Sequence, residues 1–338
     1  MPGMDVFNSD AFGMQQLTLA FNETPFVPGR LGEMGLFEEA GVRTTSVSIE
    51  HKNNTLALVP STVRGGPPVQ NTRALRDIRI VDSVRIAVQD VIYADEVQNV
   101  RAFGSESEMQ ALQSEVNDRI ARMSSQHDAT LEHHRVGAVA GKVLDSDGTT
   151  VLLNMYTLFG VTEPTAIDFD LDNATPASGA LRTKCSAVIR QIEDAIGNQP
   201  YTGVTALCSS GFFDALIAHS EVRDSFLYSE GFRLRERSAR RELFFGGINF
   251  EEYRGSVGGV SYIAANEARI FPVGVPGMFI TRFSPADYWD TVNTVGLPRY
   301  ARQFADPTGS DRFRTVETQS NVLNVCTRPL GLLKGTKT

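Results

Sequence analysis

Between Ser105 and Gly137 the chain shows its clearest periodicity. Met109, Leu112, Val116, Ile120 and Met123 recur at three- and four-residue spacing, and His127 and Leu131 continue the stripe. Apolar residues spaced this way share one face of an α-helix. Ser105 and Glu108 form an S-x-x-E capping box, and neither Gly nor Pro interrupts the run before Gly137. The pattern predicts a helix over 105–136, about 47 Å long at 1.5 Å per residue. Glu106 and Glu108 in its first turn and His133, His134 and Arg135 in its last complement the helix dipole, and Gly137 is placed to end it.

The flanking segments read differently. Residues 1–42 carry repeated breakers, as in TPFVPGRLGEMGLFEEAG, and sustain no period, which predicts an extended arm. Over 43–60, Val47 and Ile49, a polar HKNNT, then Leu56 and Leu58 describe a β-hairpin turning at Asn53-Asn54. PSTVRGGPP, which contains Arg64, follows it, and Ile78, Ile80, Val84, Ile86 and Val88 then share a strand face. Together these predict a long two-stranded ribbon that is marginal alone and needs a surface to lie on.

Downstream, GAVAGKVLDSDGTTVLL reads as two strands joined by an Asp-Gly turn. Thr175-Pro176 opens a helix whose buried stripe is Leu181, Cys185, Val188, Ile192 and Ile196, with Gly197 as its stop. Residues 201–208 predict a strand, Ser210 opens a short helix, and 242–283 breaks into short strands at Gly-Gly pairs and FPVGVPG. TVETQSNVLNVCTRPLGLL is extended. The class is α+β, without the βαβ rhythm of a nucleotide-binding sheet.

A net charge of -8 argues against a nucleic-acid reader and against anionic membrane surfaces. No apolar run approaches the ~18–20 residues that span a bilayer, and MPGMDVFNSD lacks the regions of a signal peptide. Cys185, Cys208 and Cys326 read as core thiols of a protein made in a reducing cytoplasm.

Chemistry is sparse. HDATLEHHRVG, from His127 to Gly137, gathers three of the five histidines beside Asp128 and Glu132, the ingredients of a metal site. On a helix His127 and His134 lie ~10 Å apart along the axis, too far to share an ion, and His133 points elsewhere. The stretch reads as helix-end capping and a solvated face; a metalloenzyme using His127, His133 and Asp128 is the rival. GSVGGV lacks the partners of a phosphate loop, and HExxH, CxxC and GxSxG do not occur. Adjacent Glu251 and Glu252 point to opposite faces of a strand, and His219 stands alone. No catalytic, cofactor or metal residue is assigned. Arg233, Arg235, Arg237, Arg240 and Arg241 interleave with Glu230, Glu236 and Glu242. Such mixed signs suit a solvated or intersubunit surface better than a nucleic-acid patch.

Seven stretches in order carry a resemblance over essentially the full chain: GRLGEMGLFEEAGVRTTSVSIE, LALVPSTVRGGPP, VRAFGSESE, HDATLEHHRVGAVAGKVLDSDG, FFGGINFEEYRG, FPVGVPGMFITRFSPADYWDTVNTVGLPRYARQF and ETQSNVLNVCTRP. The chain resembles the tailed-phage major capsid proteins of the lambda-type head protein family (major capsid protein E). That resemblance implies the Hong Kong 97-type capsid fold. Its parts would be an N-terminal arm at 1–42, an extended loop at 43–88, and a peripheral domain at 89–197 with its spine helix at 105–136. An axial domain at 198–300 and return strands at 301–338 would complete it. The resemblance implies a structural protein rather than an enzyme, without cofactors, that self-assembles into hexamers and pentamers of an icosahedral shell around the genome. The implied partners are copies of itself, a scaffold, a portal and optionally a decoration protein, with non-specific proximity to packaged double-stranded DNA and no membrane. The implied location is the virion, after assembly in the host cytoplasm. Candidate intersubunit contacts are Val47, Ile49, Leu56, Leu58, Arg64, Arg233, Arg235 and Arg237. One member of this fold cross-links itself through an extended-loop lysine, and Lys52 is the only lysine before Lys142; most of the lambda-type family is not known to cross-link. An encapsulin-like shell, which shares the fold but encloses enzymes, is the alternative.

Overall fold

The computed structural model describes residues 14–15, 17–18, 29–52, 76–94, 96, 108–173, 175–197, 199–228, 242–257, 259–310 and 312–338. They form two compact units, each threaded from three stretches of chain: Met1–Val47, Ile80–His133 and Ile280–Asn324 in the first, Ser48–Arg79, His134–Phe279 and Val325–Thr338 in the second. These units do not follow the five expected segments; the 197/198 boundary falls inside the second.

The first unit is organised around the strand Phe313–Cys326. It pairs antiparallel with Val84–Tyr93, Val322 opposite Val84 and Phe313 opposite Tyr93, and with Tyr300–Ala305, Gln319 opposite Tyr300. Phe279–Phe283 continues the sheet, and Glu38–Gly41 closes it as a parallel edge with Glu38 opposite Ile280. The predicted long helix is present as Glu108–Ala140, 33 residues. Val116, Ile120 and Met123 form a core with Leu17, Ile92, Ala301 and Val316, as the stripe predicts. Ser105 and the side chains of Met109 and Leu112 lie outside the described residues.

The helix end is a correction. Gly137 does not stop it: the helix runs on to Ala140, and Gly141, at φ +84°, turns the chain away. Glycine at 137 serves packing instead, because a Cβ there would lie 2.8 Å from the Lys142 carbonyl oxygen and 2.9 Å from Val143 Cα. The ribbon also differs in detail. Ser46–Lys52 pairs with Arg76–Asp82, while the expected turn at Asn53-Asn54 lies outside the described residues. The expected 78–88 strand breaks at Ser83, whose amide and hydroxyl both donate to the Thr45 carbonyl at 3.0 Å. Val84 onward leaves the ribbon for the five-stranded sheet.

The second unit holds a six-stranded mixed sheet in the order Ile167–Asp168, Leu333–Thr336, Glu267–Val273, Gly203–Cys208, Ile248–Glu252, Glu242–Phe245. Its Gly203–Cys208 and Ile248–Glu252 strands are parallel, and the helices Ser210–Ala218 and Ser220–Tyr228 lie between them in the chain. His219 joins those helices, its Nδ1 accepting from the Glu221 amide at 3.3 Å. The helix Ala180–Ile196 buries all five predicted stripe residues. It begins after Gly179 rather than at Thr175-Pro176, because Glu221 accepts from the Leu181 and Arg182 amides at 3.1 and 3.3 Å and caps it there. The Asp-Gly turn joins Lys142–Leu144 to Val151–Asn154 as expected. All three cysteines are free and buried. Burial pushes the Cys185 and Cys326 thiols up to about 12 and Cys208 well above its usual range.

Candidate functional site

The polar stretch on the long helix is buried, not solvated: His127, Asp128, Glu132, His134 and Arg135 are all covered. Burial of polar groups calls for partners, and those of His127, Asp128 and Glu132 come from distant stretches of chain. The Asp128 carboxylate pairs with the Arg299 guanidinium, whose other nitrogen donates to Ser124 Oγ at 2.6 Å. Glu132 Oε1 accepts from the Leu31 amide at 2.8 Å. Gly29 lies so close to the Glu132 side chain that a Cβ there would overlap it. His127 Nε2 lies at 3.1 Å from Thr318 Oγ1, whose hydroxyl also reaches the Val88 carbonyl at 3.3 Å. Burial first, then the Arg299 charge, lowers the His127 pKa to about 4. Helix-end capping therefore does not describe these residues. His127, Asp128 and Glu132 form a buried polar layer tying the helix to Thr318, Arg299 and Leu31 of the first unit.

A cavity of about 280 Å³ opens beside this layer, lined by His127, Asp128, Leu131, Phe283, Arg299 and Ser320 among others. Glu39 and Asp128 face the single guanidinium of Arg299 there, and the histidine is held neutral. Among the described residues no group of three or more His, Cys, Asp or Glu is placed to hold a metal ion. Glu251 is buried and Glu252 half-buried, on opposite faces of their strand.

The outer surfaces carry the stronger signal. Val47 and Ile49 are buried within the chain itself. On the partner strand the alternation puts Val81 inside and leaves Ile78 and Ile80 at 56% and 67% exposure. The ribbon therefore does present an apolar face, built from residues other than the two expected on its first strand. Leu56, Leu58 and Arg64 lie outside the described residues, as do Arg233, Arg235 and Arg237; the side chain of Lys52 does too. A second apolar surface, for which the sequence gives no period, sits on the loop between Phe283 and Tyr300. There Trp289, the only tryptophan, is 89% exposed beside Val292 at 61%, with Val295 and Leu297 also exposed.

The described residues thus combine a buried polar layer, a cavity beside it and outward apolar faces. A crystal structure assigned as the capsid protein of a prophage in E. coli CFT073 shares this fold, with a TM-score of 0.57 and 12% identity, covering 96% of this chain and 99% of that one. The α+β architecture is thus that of the Hong Kong 97-type phage capsid proteins. The family model of the phage major capsid protein E matches residues 13–337, and the chain belongs to that family. The major capsid protein of Pseudomonas phage KPP10 is 30% identical over 336 residues, covering 92% of this chain and 93% of that protein. That of Salmonella phage Felix O1 is 22% identical over 358 residues, covering 94% of each. The chain is accordingly a major capsid protein of the tailed-phage kind, a structural component and not an enzyme. Among the described residues no helix is long and apolar enough to cross a membrane.

Proposed function

We propose that copies of this chain close hexamers and pentamers into an icosahedral shell around packaged double-stranded DNA. In this reading a scaffold and a portal protein are partners in assembly, and a decoration protein is a partner of the finished shell. Assembly takes place in the host cytoplasm, and the product resides in the virion. The observation that carries the reading is family membership over residues 13–337. The net charge of -8 supports it, since a wall of like charge lets DNA slide past rather than adhere. The sequence divisions stand as part of the proposal: arm at 1–42, extended loop at 43–88, peripheral domain at 89–197 with return strands at 301–338, and axial domain at 198–300. Leu56, Leu58, Arg64, Arg233, Arg235 and Arg237 remain proposed contacts between copies, and Lys52 a candidate cross-linking lysine. Val47 and Ile49 are covered by their own chain, so Ile78 and Ile80 take over the ribbon's outward role. Expression of the full chain with and without a scaffold, followed by sedimentation and negative-stain microscopy, tests this. Closed shells are the expected product. Subunits that never close under either condition would refute it.

A further inference from the structure

We infer that the cavity beside the long helix is a binding site for a small organic cation, an ammonium or guanidinium group carried on a short apolar stem. The inference goes beyond shell assembly, because it assigns a ligand class to a site that assembly leaves unused.

The whole lining belongs to the first unit. It is drawn from the strands Glu38–Gly41, Val84–Tyr93, Phe279–Phe283 and Phe313–Cys326, the long helix, and the two residues before Tyr300. Exposure grades it from mouth to floor. Glu39 and Pro298 are exposed, Ile86 and Leu131 are half-buried, and Phe283, Asp128, Arg299 and Ser320 are buried. Ile86, Leu131, Phe283 and Pro298 make an apolar wall. A cavity of about 150 Å³ accepts a benzene ring, so the 280 Å³ here has room for a short chain and a polar head. Pockets that join an apolar wall to a few converging polar groups are the ones that hold small molecules.

The polar groups decide the head. Ser320 Oγ donates to the Pro298 carbonyl at 2.8 Å, so toward a ligand its oxygen accepts. The ionised carboxylates of Glu39 and Asp128 are acceptors whatever else they bind. The strongest donor in the lining, the Arg299 guanidinium, is turned to its own chain. One terminal nitrogen donates to Ser124 Oγ at 2.6 Å and the other to Asp128. Acceptors therefore predominate, and a ligand must bring donors. Charge narrows the choice: two carboxylates against one guanidinium favour a cation over a carboxylate or a phosphate, and an aromatic wall favours it further. A stem packed on Ile86, Leu131 and Phe283, with its head on the carboxylates, satisfies both halves of the lining. Such a group comes either as a free amine or as the Lys or Arg side chain of another polypeptide.

The probe is n-butylguanidinium, titrated into unassembled full-length subunits and followed by calorimetry. It should bind saturably, in the millimolar range of a fragment of roughly eight non-hydrogen atoms. 1-Pentanol should bind at least about fivefold more weakly, since its hydrogen bond lacks charge assistance, and pentanoate should not bind. Glu39→Gln, at an exposed position, should keep the circular dichroism of the subunit and weaken the guanidinium about three- to fivefold, the scale of one partly exposed ion pair. Leu131→Phe should fill the space and abolish binding. Binding to subunits but not to closed shells would assign the site to a side chain of another polypeptide; binding to both would assign it to a free amine. No saturable binding by the unaltered subunit, equal affinity for pentanol or pentanoate, or unchanged binding in either variant would each overturn the inference. Because the titration uses unassembled subunits, its outcome is independent of whether shells close, which is what tests the proposed function.

Discussion

The ion pair between Asp128 and Arg299 should behave as a unit. Both side chains are buried and the guanidinium also donates to Ser124 at 2.6 Å. At a separation of roughly 3 Å and an effective dielectric of about 20, the attraction is about 5 kcal/mol. Taking both ions out of water costs a comparable amount, so the intact pair contributes little net stability. Removing one partner exposes the asymmetry. Asp128→Ala leaves Arg299 buried without its counter-charge, and Arg299→Ala leaves Asp128 so; each should cost about 3–5 kcal/mol. The double replacement Asp128→Leu with Arg299→Met removes both charges and fills the space, and should cost less than either single change. Thermal unfolding of unassembled subunits followed by circular dichroism measures this, with single-variant midpoints falling on the order of 5–10 °C. Losses in the double variant equal to the sum of the two singles would refute the reasoning, because independent residues add and coupled ones do not.

Because the His127 pKa falls from 6.5 to about 4 on folding, the neutral ring contributes stability that is complete above pH 6.5 and is lost as pH falls toward 4, roughly 3 kcal/mol in all. Melting curves between pH 7 and 4 should show this loss, and His127→Gln should flatten it. Gly137→Ala should destabilise by about 1–3 kcal/mol in the same unfolding assay, although alanine normally favours a helix by about 1 kcal/mol, because the added methyl meets the Lys142 carbonyl. His133→Ala, at a half-buried position, should be nearly silent, whereas His134→Ala, at a buried one, should cost about 1–3 kcal/mol by chemical denaturation. Replacing residues 53–75 with a short Gly-Ser linker should leave the subunit's melting temperature near normal while sedimentation shows few closed shells.

Stripes were legible where one face of an element meets apolar neighbours. Val116, Ile120 and Met123, and the five stripe residues of Ala180–Ile196, are buried as their spacing demands. The polar layer was not legible, because its partners lie far away in the chain: Glu132 with Leu31 across 101 residues, Asp128 with Arg299 across 171, His127 with Thr318 across 191. No local period encodes such pairings, so charged residues near a helix end read as solvated. The same holds for Thr318, Gln319, Ser320 and Asn321, four successive polar residues that the structure buries on both faces of one strand. At Ile78 and Ile80 alternation predicts the strand correctly but does not say which face is covered. At Gly137 the residue type is informative and its usual meaning misleading, since close backbone approach and helix termination both call for glycine.

The threading of the two units has a consequence for synthesis. The first cannot be completed until residues 280–324 have been made, because Phe313–Cys326 is the strand on which its sheet is built; the second waits for Leu333–Thr336. The last stretch of the first unit ends only a few residues before the last strand of the second, so both are completed late in synthesis. Nascent chains on one polysome, held close together with apolar strands uncovered, are the species most exposed to mispairing. The design also confers a safeguard: a chain cut short before Phe313 lacks the last strands of both units and cannot present a finished surface to a growing shell.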